Sequence, residues 1–500
     1  MCTHRPVLAM ALLAAGCFSE SSVYDDCDRN DCTSSSDGSG SDTTPTSTTA
    51  ITTTTNTTSA TSTTESVDDS SEAESSPPTT ETSNASSSDD GESSSDDATP
   101  ARCGDGVLES PEECEDADDG DPHDGCNACV ITPQLVWTHE RDYGDDSIDD
   151  AALALAADGD QVQVSAVIGN AIAFDDAYWF RLDTDNGFVD PEWGYMASLA
   201  ENNRVLALAR TGNDCALGGF VNGWGAASIA AGNTLDCNTG WITGDLQIGE
   251  PQVDGGPDAI RALVVRGDGG IVVGGVRIFG AAPRGWIAEL APGGQTLEAT
   301  TWLDDPVWYG EASEVNALAL APDDTVFVAG SFDDGGGPRG FAAPLELASE
   351  MPAPFAPMEN ESVAIDVRPI ATGMAVAGWS VSAGGDADAR IELFDMDGGA
   401  PLVWTLGNAT EDRLHGLDVT PEGLVATGFT SAPATGTDVL VVWLDDTLAE
   451  QHRAVWNSSG AGDDVAWDVL ATPEGITIGG AAQGDDVQEL LVQRWVIPLP

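Results

Sequence analysis

The chain has 500 residues, 85 of them acidic and 17 basic, for a formal net charge of −68. Every basic residue is arginine; there is no lysine. Such a surface repels nucleic-acid phosphates and anionic lipid headgroups, and the missing lysine removes Schiff-base chemistry and the phosphate-binding P-loop. The acidity reads first as a solvated surface suited to salty surroundings and second as cation binding.

At the N-terminus a single arginine, Arg5, precedes an apolar run over residues 7–15 and then Gly16-Cys17. This is the pattern of a secretory signal, too short to span a membrane as a mature helix. Ala14-Ala15-Gly16-Cys17 resembles the lipobox of bacterial lipoproteins, with Ala14 where leucine is favoured. The resemblance implies cleavage after residue 16, diacylation of Cys17 and acylation of its amine. Phe18 follows the anchor instead of an inner-membrane-retaining aspartate, so the expected location is the outer membrane, lipid-anchored at the cell surface. The lipid is then the only membrane contact.

Residues 33–100 are Ser, Thr, Asp and Glu with scattered Gly and Pro. They cannot bury enough apolar surface to offset chain entropy, so residues 17–102 read as a disordered tether. As a flexible coil its central 68 residues reach roughly 45 Å, and charge repulsion extends them.

Residues 103–133 form a small module. Its Cys-Gly-Asp-Gly opening, Glu112-Glu113-Cys114 and Asp124-Gly125-Cys126-Asn127-Ala128-Cys129 closely resemble the cysteine-rich repeat of myxobacterial surface proteins. The run after Cys114, Glu-Asp-Ala-Asp, departs from that family's pattern. A segment this short has no core, so two disulfides must supply its stability; four cysteines allow three pairings. Its carboxylates read as turn residues or as Ca²⁺ ligands. Across the exported chain the disulfide candidates are Cys27, Cys32, Cys103, Cys114, Cys126, Cys129, Cys215 and Cys237, an even set suited to an oxidising compartment. Cys215 and Cys237 are expected to pair.

Residues 134–500 repeat. An alternating apolar strand, a Pro/Asp/Glu/Gly turn and a second strand ending in glycine recur at 152–167, 205–220, 261–276, 317–332, 365–380, 415–430 and 466–481. A third apolar run follows each, among them Tyr178-Trp179-Phe180, Trp241-Ile242 and Trp286-Ile287, and a fourth closes several. Period-two alternation excludes helices, and four short strands per ~50 residues is the spacing of propeller blades. A parallel β-solenoid is the rival, but its rungs are shorter. The expected fold is all-β: a seven-bladed β-propeller of four-stranded blades, preceded by the tether and the disulfide-rich module. The seventh unit lacks a fourth strand, and Leu135-Val136-Trp137-Thr138 resembles the fourth strands elsewhere. It is expected to pair with residues 491–496 and close the ring.

Catalytic chemistry is sparse. The histidines His123, His139, His415 and His452 show no ligand spacing, and no nucleophile elbow or metal motif occurs. The segments 182–190 and 394–399 resemble shortened calcium loops but lie where hairpin turns belong. Three residues before each repeat stand Asp149, Asn202, Asp258, Glu314, Ser362, Asp412 and Asp463. In a propeller this position reaches one mouth of the central channel, so Asp149, Asp258, Glu314, Asp412 and Asp463 form a candidate cation ring for Ca²⁺. No cofactor is required. The expectation is a monomeric, non-enzymatic surface protein binding a protein or glycan, with no nucleic-acid partner. The alternative is a hydrolase or lyase acting on extracellular polysaccharide, since propellers host such sites.

Overall fold

The computed structural model describes residues 126–497, apart from 128–129, 142–149, 171–173, 198–202, 212–213, 223–227, 238–241, 247–257, 280–281, 304–311, 334, 349–352, 355–360, 397–398, 408–409, 433–435, 459–461 and 485–487. Cys17, Cys27, Cys32, Cys103, Cys114 and Cys129 therefore lie outside the described residues, as do the expected signal and tether. Of the cysteine-rich module, two short strands, Cys126–Asn127 and Val130–Ile131, pair antiparallel.

Seven antiparallel sheets of four strands each follow. Their first strands are Ala151–Asp158, Asn203–Thr211, Asp258–Val265, Ala312–Leu320, Ser362–Ile370, Asp412–Thr420 and Val465–Thr472. Each first strand contacts the next, and the seventh contacts the first, so they close a ring around a central axis. The chain is a seven-bladed propeller. Between blades, alternate residues interdigitate into apolar layers; Val164, Phe180 and Leu182 of blade 1 meet Leu490 and Val492 of blade 7. Burying one such side chain fully contributes roughly 1.5–3 kcal/mol.

One irregularity recurs in all seven blades. The pairing of first and second strands slips by one residue at Leu153, Leu206, Arg261, Asn316, Ile365, His415 and Trp467. Each is a β-bulge that bends the strand and re-aims a side chain. Opposite the residue before each bulge stand Ala166, Gly219, Gly275, Gly330, Gly378, Gly428 and Gly480. A Cβ on any of these six glycines would lie only 1.8–2.1 Å from a first-strand carbonyl oxygen. In these six blades the glycine stands where the backbones approach too closely for a side chain, while blade 1 carries Ala166 at the same place.

This register corrects the gapless repeat. Gly218-Gly219, Gly274-Gly275 and Gly479-Gly480 are doublets, and the second glycine of each is the structural one. The repeat therefore slips by one in blades 2, 3 and 7, and likewise at Ala166 in blade 1. Blade 2 holds a second correction. Its third strand is Ser228–Asp236, and Ile242–Asp245 is its fourth. The third strand is built of small and polar residues, so it carried little apolar signal. Just past its end, Cys237 is disulfide-bonded to Cys215 of the second strand, as expected.

The ring closes as the sequence predicts. Gln134–Arg141 pairs with Gln488–Val496 as the outermost strand of blade 7, with Leu135 opposite Trp495 and Trp137 opposite Arg494. Trp137 also holds blade 1: its Nε1 donates to the Thr184 carbonyl at 2.9 Å. Its ring packs against Gly187, where a Cβ would meet it at 2.8 Å; φ there is +71°, a conformation glycine adopts freely.

Candidate functional site

Among the described residues, the acidic candidates of the expected ring, three residues before each repeat, are taken up by partners within the protein. Asp149 and Asn202 lie outside the described residues. Asp258 is ion-paired with Arg277 of its own blade at 3.3 Å. Glu314 is ion-paired with Arg261 at 2.7 Å and accepts from Ser331. Asp412 is fully buried beneath Thr430, and Asp463 accepts the amide and hydroxyl of Thr437. Among the described residues no group of three or more His, Cys, Asp or Glu is arranged to hold a metal ion.

Counting back three from the bulges, the equivalent positions are Asp150, Asn203, Asp258, Ser313, Ser362, Asp412 and Asp464. Most are buried struts. Asp150 accepts from the Gly169 amide at 2.8 Å, and its own amide donates to Gln488 of blade 7 at 3.0 Å. Asp464 accepts the amides of Gln483 and Ser458, and its amide reaches Thr437 of blade 6. Ser313 and Ser362 accept the amides of Gly285 and Gly340, in the third strand of the preceding blade. Ser313 and Ser362 pin one blade to the next through their side chains, Asp150 and Asp464 through their backbone amides, and the carboxylates of Asp150 and Asp464 are spent on protein amides.

The hairpin at 182–190 is likewise a turn; of 394–399, residues 397–398 lie outside the described residues. Asp183 Oδ1 accepts the amides of Asp185 and Asn186, and Asn186 Oδ1 accepts that of Phe188, the usual Asx-turn bonding.

The seven bulges lie on the innermost strands, the ones that contact one another around the ring. In strands whose flanking residues are mostly buried, Leu153, Leu206, Arg261, Asn316, Ile365 and His415 are half-buried and Trp467 is 39% exposed. Neighbouring bulges are linked around the ring. Arg261 Nη1 donates to Asn316 Oδ1 at 2.7 Å, and Asn316 Nδ2 donates to the Ala364 carbonyl beside Ile365 at 2.9 Å. His415 Nδ1 meets the Ala466 carbonyl at 3.1 Å, and its ring stacks on Trp467 with centroids 4.5 Å apart and 11° between planes. Phe429 meets the imidazole edge from the other side at 5.6 Å. Burial, with the nearby Arg413 charge, lowers the His415 pKa to about 4, despite the stabilising Ala466 carbonyl. The imidazole is therefore neutral at pH 7, with its proton on Nδ1 and Nε2 left as an acceptor.

A charged layer lies next along the first strands of blades 5–7. Arg368 is ion-paired with Asp366 at 2.6 Å and Asp418 at 3.5 Å. Each carboxylate also accepts an amide of the following blade: Asp366 from Leu417, Asp418 from Ala471 and Asp468 from Leu155 of blade 1. Burial, opposed by Arg368 and assisted by Asp366, raises the Asp468 pKa to about 7. Burial raises that of Asp366 against the pull of Arg368. Sequence reasoning missed both layers, because a bulge is a property of pairing. The available signal was four unusual residues, Arg, Asn, His and Trp, inside otherwise apolar first strands.

No known family profile matches the chain, and no curated protein resembles it. Solved structures do. The WD40 β-propeller domain of Doa1 covers 73% of this chain and 97% of its own, at 14% identity and a TM-score of 0.40. The polysaccharide lyase Uly1 covers 69% and 90%, at 8% identity and a TM-score of 0.46. The Trypanosoma rangeli sialidase bound to the inhibitor DANA covers 71% and 59%, at 9% identity and a TM-score of 0.35. The likeness is one of fold.

Proposed function

We propose that this protein is a non-enzymatic binding module, presented at the cell surface on a lipid-anchored tether. One observation carries the binding reading. At a single bulged position on the innermost strand, repeated in seven blades, the side chains are Leu, Leu, Arg, Asn, Ile, His and Trp. The glycine facing the bulge is kept in six blades because the backbone requires it. A position with a purely structural duty would be equally uniform. Varied chemistry on a rigid repeated frame is how propellers make a recognition surface.

The test is to offer the purified mature chain to extracellular polysaccharide and protein fractions, scoring capture and product release separately. Capture without product release is expected. Release of sugar products would replace this reading with a hydrolase or lyase, and no capture from any fraction would reduce the protein to a structural module.

The anchoring reading rests on Cys17 and its preceding small residues. Mass spectrometry of the natively processed chain should find Cys17 triacylated at the new N-terminus. With no lysine in the sequence, the mature protein would then have no primary amine, and an amine-reactive dye should leave it unlabelled. Strong labelling would show a free N-terminus.

A further inference from the structure

Resting on the binding reading above, we infer that the channel mouth at blades 6 and 7 is a subsite for a neutral sugar ring. The ring stacks on the free face of Trp467, and its hydroxyls bond to the polar groups around the mouth.

The platform is already built. The bulge turns Trp467 out of a strand in which Asp464, Val465, Ala466 and Val469 are buried. His415 covers one indole face and is itself fixed by the Ala466 carbonyl and the Phe429 edge. A ligand that adds to the other face orders nothing that is not already ordered, so little of its binding is lost to side-chain entropy. Flat apolar faces of pyranose rings, with C–H groups directed outward, suit an exposed indole.

Charge selects among ligands that could use such a platform. Polyanions and phosphates meet a protein of net charge −68 with no lysine. Arg413, two residues from His415, lies over the Trp379 ring at 4.6 Å and is ion-paired with Glu411. Arg261, on the arc that ring order places opposite blade 7, is 36% exposed and bonds Glu314 and Asn316 through Nη1. That leaves its Nε and Nη2 donors for a ligand. Each guanidinium is already neutralised by a carboxylate, and hydroxyl groups, which both donate and accept, satisfy such pairs without adding a charge.

The experiment is calorimetric titration of the mature full chain with neutral hexasaccharides of cello-, malto-, laminari- and chito-type, with oligolysine and oligoalginate as charged probes. At least one neutral hexasaccharide should saturate. Trp467→Ala should weaken that binding at least about tenfold, Trp467→Phe should hold it within about threefold, and Leu402→Ala, an exposed apolar residue on the rim of blade 5, should leave it unchanged. Circular dichroism and melting temperature establish that each variant is folded. Three results overturn the inference: no neutral hexasaccharide saturates, only a charged probe binds, or Trp467→Ala binds the sugar as wild type does. If the chain captures a matrix protein but none of these sugars, the sugar subsite falls while the wider binding reading stands.

Discussion

The ring of first strands has two halves that solve one packing problem differently. At the residue following each bulge, blades 1–4 carry Ala154, Ala207, Ala262 and Ala317, whereas blades 5–7 carry Asp366, Gly416 and Asp468. In the alanine half the small side chain lets the neighbouring strand's apolar residues close in: Ala154 packs with Val205 and Leu208, and Ala262 with Val315 and Leu318. In the charged half, carboxylates bridge the same gap by accepting amides of the next blade. Gly416 belongs to this second solution. A Cβ there would come within 2.8 Å of Val469 N and 2.9 Å of Asp468 Cα, so the strand that carries Asp468 sits where an alanine would stand. One backbone therefore accepts an apolar or an ionic seam. The ionic seam runs from blade 5 through to blade 1, beside the site of ring closure.

The two solutions should respond differently to truncation. Asp366→Ala leaves Arg368 only its longer contact to Asp418 and leaves the Leu417 amide without its carboxylate, so it should cost about 3 kcal/mol of unfolding free energy. Replacing Asp366 and Arg368 together with apolar residues should recover most of that loss; if the double variant is as unstable as the single one, the pair holds more than its own charges in place. Next in size is Gly416→Ala, expected to cost about 1–3 kcal/mol because backbone, not a flexible side chain, must move. The opposite change in the other half, Ala262→Gly, should cost roughly 0.5–1 kcal/mol, chiefly in strand entropy. Chemical denaturation of the three variants checks the order. Equal costs for Gly416→Ala and Ala262→Gly would mean that the two halves are packed alike.

The propeller itself was legible because its signals are local. Alternating apolar residues mark strands, and glycine marks the approach of two backbones. The likeness of Leu135-Val136-Trp137-Thr138 to Leu402-Val403-Trp404-Thr405 was enough to place the closing strand. What could not be read depends on pairing. A glycine doublet in blade 7, and the lack of any glycine at Ala166 in blade 1, hid which residue faces the bulge, and that slip of one residue moved attention from buried Asp464 and Asp150 to their neighbours Asp463 and Asp149. Blade 2 lost its third strand because Ser228–Asp236 has few large apolar residues and takes its stability from its neighbours and from the adjoining Cys215–Cys237 bridge. Asp366, Asp418 and Asp468 looked like ordinary acids in an acidic chain; only the strand order brings them to one layer with Arg368.

The smallest expected effect separates the two halves by pH. Asp468 titrates near 7 in the folded chain, against 3.8 for an unburied aspartate. Between those values the folded protein holds a proton that the unfolded chain has released, so this group's contribution to stability grows as pH falls through 7 and is lost as pH rises past it. Asp366, raised in the same direction, adds to the trend. His415 and His139 oppose it at lower pH. Each titrates near 4 when folded and near 6.5 otherwise. The unfolded chain is then protonated first, and stability falls as pH drops from 6.5 toward 4. Asp468 contributes about 1 kcal/mol between pH 8.5 and 6.5, but at pH 6.5 the two histidines are already half-protonated in the unfolded chain and offset it by a similar amount. The melting temperature should therefore stay nearly level across that interval and decline below it. Asp468→Asn removes the compensating gain, so its melting temperature should begin to fall near pH 7 and lose roughly 1–2 °C relative to the wild type by pH 6.5. A difference between wild type and Asp468→Asn that does not change with pH would show that the seam between blades 7 and 1 holds its carboxylate ionised at no cost, and that the ionic half of the ring is no more burdened by burial than the alanine half.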